Sequence, residues 1–113
     1  MKALVIIDVQ NDFIPGGSLA VPSGDKIVPV INSLQEYFDL IVATQDWHPQ
    51  SHVSFASNHP GTQLFDTIGL EETAQTLWPD HCVQGTSGAM FHPDLQTDKI
   101  AAIFRKGMNP GVD

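Results

Sequence analysis

The tripeptide Asp46-Trp47-His48 carries the residues of this sequence whose types and spacing point most directly to chemistry. Side chains two residues apart in an extended segment project to the same side, so this carboxylate and this imidazole can share one ligand. His52 follows closely, and Pro79-Asp80-His81-Cys82 lies further along the chain. A third ligand from a distant loop would complete a site for zinc, iron or manganese. The alternative is a set of polar loop groups around a core histidine.

The composition is that of one acidic domain. With 113 residues, of which 42% are hydrophobic, the chain can form a single packed domain at most. A net charge of −8 argues against nucleic acid and against an anionic membrane as partners. No apolar run approaches the roughly 20 residues that span a bilayer, and no signal peptide is expected. A single cysteine excludes an intrachain disulfide and predicts a cytoplasmic location.

Residues 3–7 and 40–44 are continuous apolar runs rich in β-branched side chains, which predict strands buried on both faces. Between them, Ser23-Gly24-Asp25 indicates the start of a helix. One face of this helix is predicted to carry Ile27, Val30, Ile31, Leu34 and Phe38. A strand, a helix and a strand with short connections form a βαβ unit, which predicts parallel pairing. Residues 99–104 predict a third strand.

Charged residues follow each of the three predicted strands. Asp8 ends the first, Asp46 lies just beyond the second, and Lys106 lies just beyond the third. Sites in open parallel sheets form outside the carboxyl ends of the strands, so these side chains are expected to meet. Lys106 beside Asp8 would favour the ionised carboxylate, which can still accept an acidic proton such as that of a thiol.

The stretch from residue 45 to about residue 98 is rich in loops and contains all five histidines, both tryptophans and Cys82. Such a long stretch with little regular structure is uncommon in a compact domain and is usually functional. Within it, residues 71–77 are predicted to form a short helix.

The predicted sheet has too few helices to cover it. Strands buried on both faces need helices on both faces, and only one long helix is predicted. The chain also ends in the turn-like Asn109-Pro110-Gly111-Val112-Asp113. We therefore expect a large exposed apolar patch and an incomplete domain or an intimate partner. An N-terminal fragment, a nicked half held to its other half, and a truncated gene product all fit this pattern.

Six motifs together resemble the nicotinamidase/pyrazinamidase branch of the isochorismatase-like hydrolases. In family order they are Ile7-Asp8-Val9-Gln10-Asn11-Asp12-Phe13, Gly16-Gly17-Ser18-Leu19-Ala20-Val21, Thr44-Gln45-Asp46-Trp47-His48-Pro49, Ser54-Phe55-Ala56-Ser57-Asn58-His59, Trp78-Pro79-Asp80-His81-Cys82-Val83-Gln84-Gly85 and Arg105-Lys106-Gly107. The resemblance implies an α/β fold, a Rossmann-like three-layer arrangement with a parallel sheet flanked by helices. Residues 1–113 would be the N-terminal part of that single domain. The implied activity is hydrolysis of nicotinamide to nicotinate and ammonia, a step of NAD salvage.

The resemblance also implies roles for individual residues. Asp8 and Lys106 match the aspartate and the lysine of the family's Asp-Lys-Cys triad. Asp46, His48 and His81 match the metal ligands. The implied cofactor is a divalent metal ion, with zinc favoured over iron and manganese.

Four further residues have family counterparts. Phe13 and Trp78 match the aromatic walls that hold the pyridine ring, and His52 occupies the position of a further metal ligand in some members. Cys82 belongs to the segment of the metal histidine, whereas the family's nucleophilic cysteine comes from a later strand-to-helix turn. Cys82 is therefore expected to be structural, and the chain alone is expected to be inactive. The implied partners are nicotinamide, the C-terminal portion of the same domain, and a homo-oligomer of the kind that relatives often form.

Three other functions stay open on the sequence. The first is a metal-binding or interaction module without catalysis. The second is a metallohydrolase that uses metal-bound water in place of the cysteine. The third is an amidase of the same family with another small substrate, such as a ureido acid.

Overall fold

The computed structural model describes residues 1–113. Its strands and its α-helix are β1 (Ala3–Ile7), α1 (Ile27–Leu34), β2 (Leu40–Asp46), β3 (Thr67–Gly69), β4 (Ala74–Thr76) and β5 (Ala102–Lys106). Short 3-10 turns occupy Asn11–Phe13, Gly24–Lys26, Gln35–Tyr37, Ala56–Asn58 and Ser87–Ala89. None of these helices has the length and the apolar character needed to cross a membrane.

A three-stranded parallel sheet forms the centre of the fold, with β2 between β1 and β5. Ile7 of β1 pairs with Thr44 of β2, and Asp46 of β2 pairs with Lys106 of β5. The chain passes through α1 between β1 and β2, as a connection between parallel strands requires. The predicted α/β class with a parallel sheet flanked by helix is therefore confirmed. The carboxyl ends of all three strands lie at the same end of the sheet.

The helix packs on the sheet with a different side from the one predicted. Val28 and Ile31 are the buried residues of α1, and Gln35 is buried in the 3-10 turn that follows. Of the predicted face, Ile31 is buried and Phe38, beyond the helix, packs against the same core. The prediction is wrong for the other three members, which are exposed, namely Ile27, Val30 and Leu34. Since α1 is apolar on two sides, the helical period does not decide which side meets the sheet.

The two faces of the sheet differ in how far they are covered. On the face beneath α1, a buried cluster comprises Ile6, Val9, Ile14, Val28, Ile31, Ile41, Ala43 and Leu95. On the opposite face, Val5, Ile7 and Phe104 are 52%, 66% and 59% exposed. The prediction that β1 is buried on both faces is therefore wrong for this chain. The predicted exposed apolar patch is present, and we call these three side chains the open face.

Residues 71–77 do not form the predicted helix. β3 and β4 instead pair antiparallel as a hairpin, with Thr67 opposite Thr76. The amide of Leu70 donates to the carbonyl of Thr73 at 2.7 Å and closes the turn. A seven-residue segment is too short to hold a helix without tertiary contacts, and its threonines suit a strand.

Candidate metal centre and active site

The carboxyl ends of β1, β2 and β5 bring three charged side chains together. Nζ of Lys106 lies 2.8 Å from Oδ2 of Asp8 and also donates a hydrogen bond to Oδ1 of Asp46. Both carboxylates are largely shielded from solvent, whereas Lys106 is about half exposed. Lys106 therefore bridges two acids whose charges would otherwise repel each other in a poorly solvated place.

Asp8 is the residue at which the chain leaves the sheet. Its amide still donates to the carbonyl of Thr44 at 3.3 Å, but its φ of +52° lies in the left-handed region. Aspartate enters this region more readily than most side chains. The hydroxyl of Thr44 donates to Oδ1 of Asp8 at 2.8 Å. One oxygen of Asp8 is thus held by Thr44 and the other by Lys106.

The electrostatics keep Asp46 ionised. Burial alone would raise the pKa of Asp46, but His48 and Lys106 outweigh that effect and lower the pKa to about 2. Burial alone would lower the pKa of Lys106, but its contacts with Asp46 and Asp8 outweigh that effect and raise the pKa. At neutral pH Asp46 is therefore a carboxylate, which is the form that binds metal ions.

Donor atoms of Asp46, His48 and His81 lie within 4.8 Å of one another. Nδ1 of His48 donates to the carbonyl of Gly107 at 2.8 Å, so Nε2 carries the free lone pair in the neutral ring and a proton beside Asp46 in the charged ring. Burial alone would lower the pKa of His48, but its contacts with Asp46 and Gly107 outweigh that effect and raise the pKa. This Nε2 atom is buried, has no hydrogen-bond partner, and lies 3.5 Å from Oδ2 of Asp46. A buried nitrogen without a partner is costly unless a ligand occupies it. The orphaned atom thus fits a metal ion.

His81 is arranged in the same way as His48. Its Nδ1 donates to the carbonyl of Pro79 at 2.8 Å, which leaves Nε2 available as a ligand. The two imidazole rings meet edge to face, with centroids 4.9 Å apart. Ligating histidines usually donate their second N–H to a carbonyl or a carboxylate, which fixes the tautomer. Two such imidazoles and one carboxylate fit the donor set of zinc.

His52 is not part of this group of three donors. Its Nδ1 lies 2.7 Å from Oγ of Ser54, and its Nε2 lies 3.0 Å from the carbonyl of Val112. Its ring packs against that of His48 with centroids 4.1 Å apart. His48, His52 and the exposed Asp113 form a second donor group, but both ring nitrogens of His52 already have partners. Burial, with a smaller effect of His48, lowers the pKa of His52.

The two aromatic residues assigned to the pocket lie in different surroundings. Phe13 lines a cavity of about 380 Å³ together with Asp8, and its ring centroid lies 5.7 Å from that of His81. Trp78 lines another cavity beside β3 and β4, and its ring meets that of Phe65 edge to face at 5.9 Å. Phe13 therefore adjoins both Asp8 and His81, whereas the cavity that Trp78 lines includes neither Asp8 nor any of the three metal donors.

Cys82 has the surroundings of a structural residue. It is fully buried, its φ is +48°, and its amide donates to Oδ2 of Asp12 at 2.7 Å. Burial, together with the nearby carboxylates of Asp46 and Asp12, raises the pKa of its thiol. Such a thiol gives up its proton poorly, and the thiolate is the reactive form.

Several residues support the site without having been assigned a role from the sequence. Gly107 has a φ of +67°, and a Cβ atom at this position would overlap the ring of His48. Thr44 orients Asp8, and Asp12 holds the loop that carries His81. Because Gly107 directly follows the predicted Lys106, its sequence position could have indicated that it lies at the site. The contacts of Thr44 and Asp12 depend on turns that no spacing rule predicts.

The family model of the isochorismatase domain matches residues 2–110, so the chain belongs to this family. It is similar to the nicotinamidase of Acinetobacter baylyi, with 56% identity over 111 residues. That alignment covers 98% of this chain and 52% of the relative. The chain therefore spans about half the length of the curated relatives that it matches.

Solved structures agree with this assignment. A nicotinamidase and pyrazinamidase from Acinetobacter baumanii superimposes with a TM-score of 0.95 at 55% identity, covering 98% of this chain and 54% of that chain. A pyrazinamidase of Pyrococcus horikoshii in complex with zinc superimposes with a TM-score of 0.73 at 41% identity, with the same two coverages of 98% and 54%.

Proposed function

We propose that this chain supplies part of the active site of a nicotinamidase, an amidohydrolase that converts nicotinamide to nicotinate and ammonia. The relatives that it matches bear this name, and the pair Asp8 and Lys106 adjoins a group of metal donors. The observation that carries the proposal is the buried Nε2 atom of His48, which has no hydrogen-bond partner and lies beside the ionised Asp46. A structural histidine would have its second nitrogen satisfied.

Asp46, His48 and His81 would hold a divalent metal ion. Zinc is the proposed ion because a relative with the same fold was solved in complex with zinc. The chemistry that such an ion supplies is a Lewis-acid anchor for the pyridine nitrogen of the substrate. The carbonyls of Gly107 and Pro79 set the tautomers of the two histidines, so the ligand lone pairs are preformed.

Asp8 is the proposed base. Its carboxylate would accept the proton of a cysteine thiol that the remainder of the domain supplies, and Lys106 would stabilise the ion pair. The thiolate attacks the carboxamide carbon, and backbone N–H groups beside the cysteine bind the oxyanion. When this intermediate collapses, the C–N bond breaks and Asp8 returns the proton to the departing ammonia.

Water completes the reaction. Asp8 takes a proton from the water that adds to the thioester carbon. The C–S bond then breaks, the sulfur regains a proton from Asp8, and nicotinate leaves. Phe13 would form one wall against the pyridine ring, because it lines the cavity of Asp8 and packs near His81. Trp78 is the proposed second wall, on the family resemblance.

The open face is the proposed contact with the C-terminal portion of the same domain. Ile7 and Phe104 lie on the sheet beside the strand ends that form the site, and Val5 continues the same face towards the middle of β1. Burying a large apolar side chain contributes about 1.5–3 kcal/mol, so covering three of them would strongly favour association. If the C-terminal portion packs on the open face, its nucleophilic cysteine would also lie close to Asp8.

The test is a fusion protein in which residues 1–113 replace the matching part of the Acinetobacter baylyi nicotinamidase. We expect zinc-dependent release of ammonia from nicotinamide by the fusion protein, and none from the chain alone. A fusion protein that folds and binds zinc but releases no ammonia from nicotinamide would contradict the proposal. If the fusion protein hydrolyses ureido acids but not nicotinamide, the substrate is another small amide.

A metal-binding module without catalysis is the second candidate. It is favoured by the close approach of all three metal donors, Asp46, His48 and His81, which requires no group from outside residues 1–113. Zinc binding without turnover, even in the fusion protein, would establish it.

Turnover by the chain alone that survives alkylation and stops with a chelator would instead establish hydrolysis by metal-bound water.

We also propose a cytoplasmic location, because the chain has no cysteine pair that an oxidising compartment would cross-link. Cell fractionation tests this, and recovery from the periplasm or the medium would contradict it. Size-exclusion chromatography of the fusion protein tests whether it forms a homo-oligomer.

A further inference from the structure

The edge of β2 that faces β1 has an irregular last rung. The ladder between the two strands runs to Ile7 and Thr44, and the amide of Asp8 still donates to the carbonyl of Thr44. In a continued parallel ladder, the amide of Asp46 would next donate to the carbonyl of Asp8. It does not, because Asp8 turns out of the sheet with a φ of +52°. The carbonyl of Asp8 accepts from the amide of Gln10 at 2.8 Å instead.

The side chain of Gln10 takes the place of the missing peptide group. The amide of Asp46 donates to Oε1 of Gln10 at 2.8 Å, and Nε2 of Gln10 donates to the carbonyl of Asp46 at 2.8 Å. Nε2 also donates to the carbonyl of Ala89 at 2.9 Å. Gln10 is completely buried, so its amide has no competing water. A primary amide presents a donor and an acceptor side by side, as a strand backbone does.

These contacts fix the residue whose carboxylate lies at the centre of the site. On the other edge of β2, Asp46 is paired with Lys106, and the amide of Trp47 donates to the carbonyl of Lys106 at 2.9 Å. The backbone of Asp46 is therefore held from both sides. With its backbone held, the carboxylate keeps its place between Lys106 and His48.

We infer that Gln10 is a positioning residue for the metal centre, which acts by holding the backbone of Asp46 where β1 no longer can. The inference rests on the proposed metal site of Asp46, His48 and His81. It predicts a specific loss of metal affinity when the side-chain amide of Gln10 is removed, beyond any loss of stability.

Gln45 offers a matched control. It is also buried, and its Nε2 donates to the same carbonyl of Ala89 at 2.9 Å. Its Oε1 accepts from Nε of Arg105 at 3.2 Å, and its side chain makes no hydrogen bond with Asp46. Gln45→Met and Gln10→Met therefore each remove one buried amide from the same neighbourhood. Only Gln10→Met removes the contacts with the backbone of Asp46.

The experiment measures two quantities for the wild type and for each variant. The first is zinc affinity, by competition with a chromophoric chelator, and the second is the thermal midpoint of the metal-free protein. Because loss of an outer-sphere partner typically costs about 10–100-fold in metal affinity, we expect Gln10→Met to weaken zinc binding by that factor. Gln45→Met is expected to lower the thermal midpoint comparably and to leave zinc affinity near that of the wild type. The visible spectrum of the cobalt(II) form should change in Gln10→Met alone.

Failure of the inference alone can be distinguished from failure of the proposed metal centre. If the wild-type chain binds no zinc, the metal centre and this inference both fail. If the wild type binds zinc and Gln10→Met binds it equally well, only the inference fails. Equal losses of affinity in the two variants would also overturn it, because affinity would then follow stability. If either variant does not fold alone, the same pair is compared in the fusion protein with the same expected outcomes.

Discussion

The strand-end site and the open face are neighbouring regions of one sheet, but their side chains differ in whether this chain supplies their partners. At the site, the carboxylate of Asp8 and the amide of Gln10 are satisfied by other groups of residues 1–113. On the open face, side chains such as Ile7 and Phe104 lie exposed. The polar organisation of the site is therefore built from within this chain, whereas nothing in the chain covers the apolar face. Changes in the two regions should consequently have separable effects.

The largest expected effect at the site comes from removing a ligand. His48→Ala deletes the orphaned Nε2 atom, so zinc binding should fall by more than the roughly 10–100-fold that an outer-sphere change costs. His59→Ala is the control, because its ring is also hydrogen-bonded, to the carbonyl of Val53, but lies outside the donor group. Isothermal titration with zinc measures both. Equal zinc affinity in wild type and His48→Ala would remove His48 from the metal site.

The open face should respond with opposite signs in the chain alone and in the fusion protein. In the chain alone, Phe104→Thr removes exposed apolar surface, so fluorescence of a hydrophobic dye and self-association should both decrease. In the fusion protein the same change should cost about 1.5–3 kcal/mol of unfolding free energy, since the ring would then be buried. Urea unfolding measures the second effect. Unchanged stability of the fusion protein would show that this face stays uncovered there.

Gly107→Ala should disturb the site through the backbone. A non-glycine residue at a φ of +67° is strained, and the new methyl group would overlap the ring of His48. We expect a loss of about 1–3 kcal/mol in unfolding free energy. We also expect weaker zinc binding, because the carbonyl that sets the tautomer of His48 shifts. Gly69→Ala, where a Cβ meets open space, is the control. If a destabilised Gly107→Ala variant binds zinc normally, the turn at Gly107 does not influence the metal site.

A smaller effect is expected in acid. The pKa of Asp46 is lowered from 3.8 to about 2 in the fold, so its contribution to the stability of the metal-free protein is complete above about pH 4. That contribution should be lost as the pH falls towards 2. Asp46→Asn should therefore flatten the acid limb of the stability curve. An unchanged acid limb in Asp46→Asn would mean that Asp46 is not stabilised as an ion.

The sequence was most informative where a simple geometric rule applies. Parallel strands end at the same end of a sheet, so Asp8, Asp46 and Lys106 could be expected to meet. The helical face was predicted wrongly at Ile27, because Ile27 and Val28 are both apolar and only packing against the sheet shows which one is buried. The hairpin of β3 and β4 was missed because its strands are too short to show an alternating pattern.

The contacts that complete the site could not be read from the spacing of residues. Gln10 reaches Asp46 only because Asp8 adopts a left-handed conformation, and sequence does not specify that conformation for an aspartate. His52 illustrates the opposite case. Its position resembles that of a ligand, but its ring nitrogens face Ser54 and Val112. Side-chain partners of this kind depend on turns whose dihedral angles follow from the whole fold.

The measurement that tests the central claim most directly is ammonia release from nicotinamide by the fusion protein carrying Asp8→Asn or Cys82→Ala. If Asp8 is the base, Asp8→Asn should lower kcat/KM by about 10²–10⁴-fold with zinc binding unchanged. If Cys82 is structural, Cys82→Ala should leave kcat/KM close to that of the parent. Loss of activity in a folded, zinc-binding Cys82→Ala variant, or full activity in Asp8→Asn, would contradict this assignment of the site.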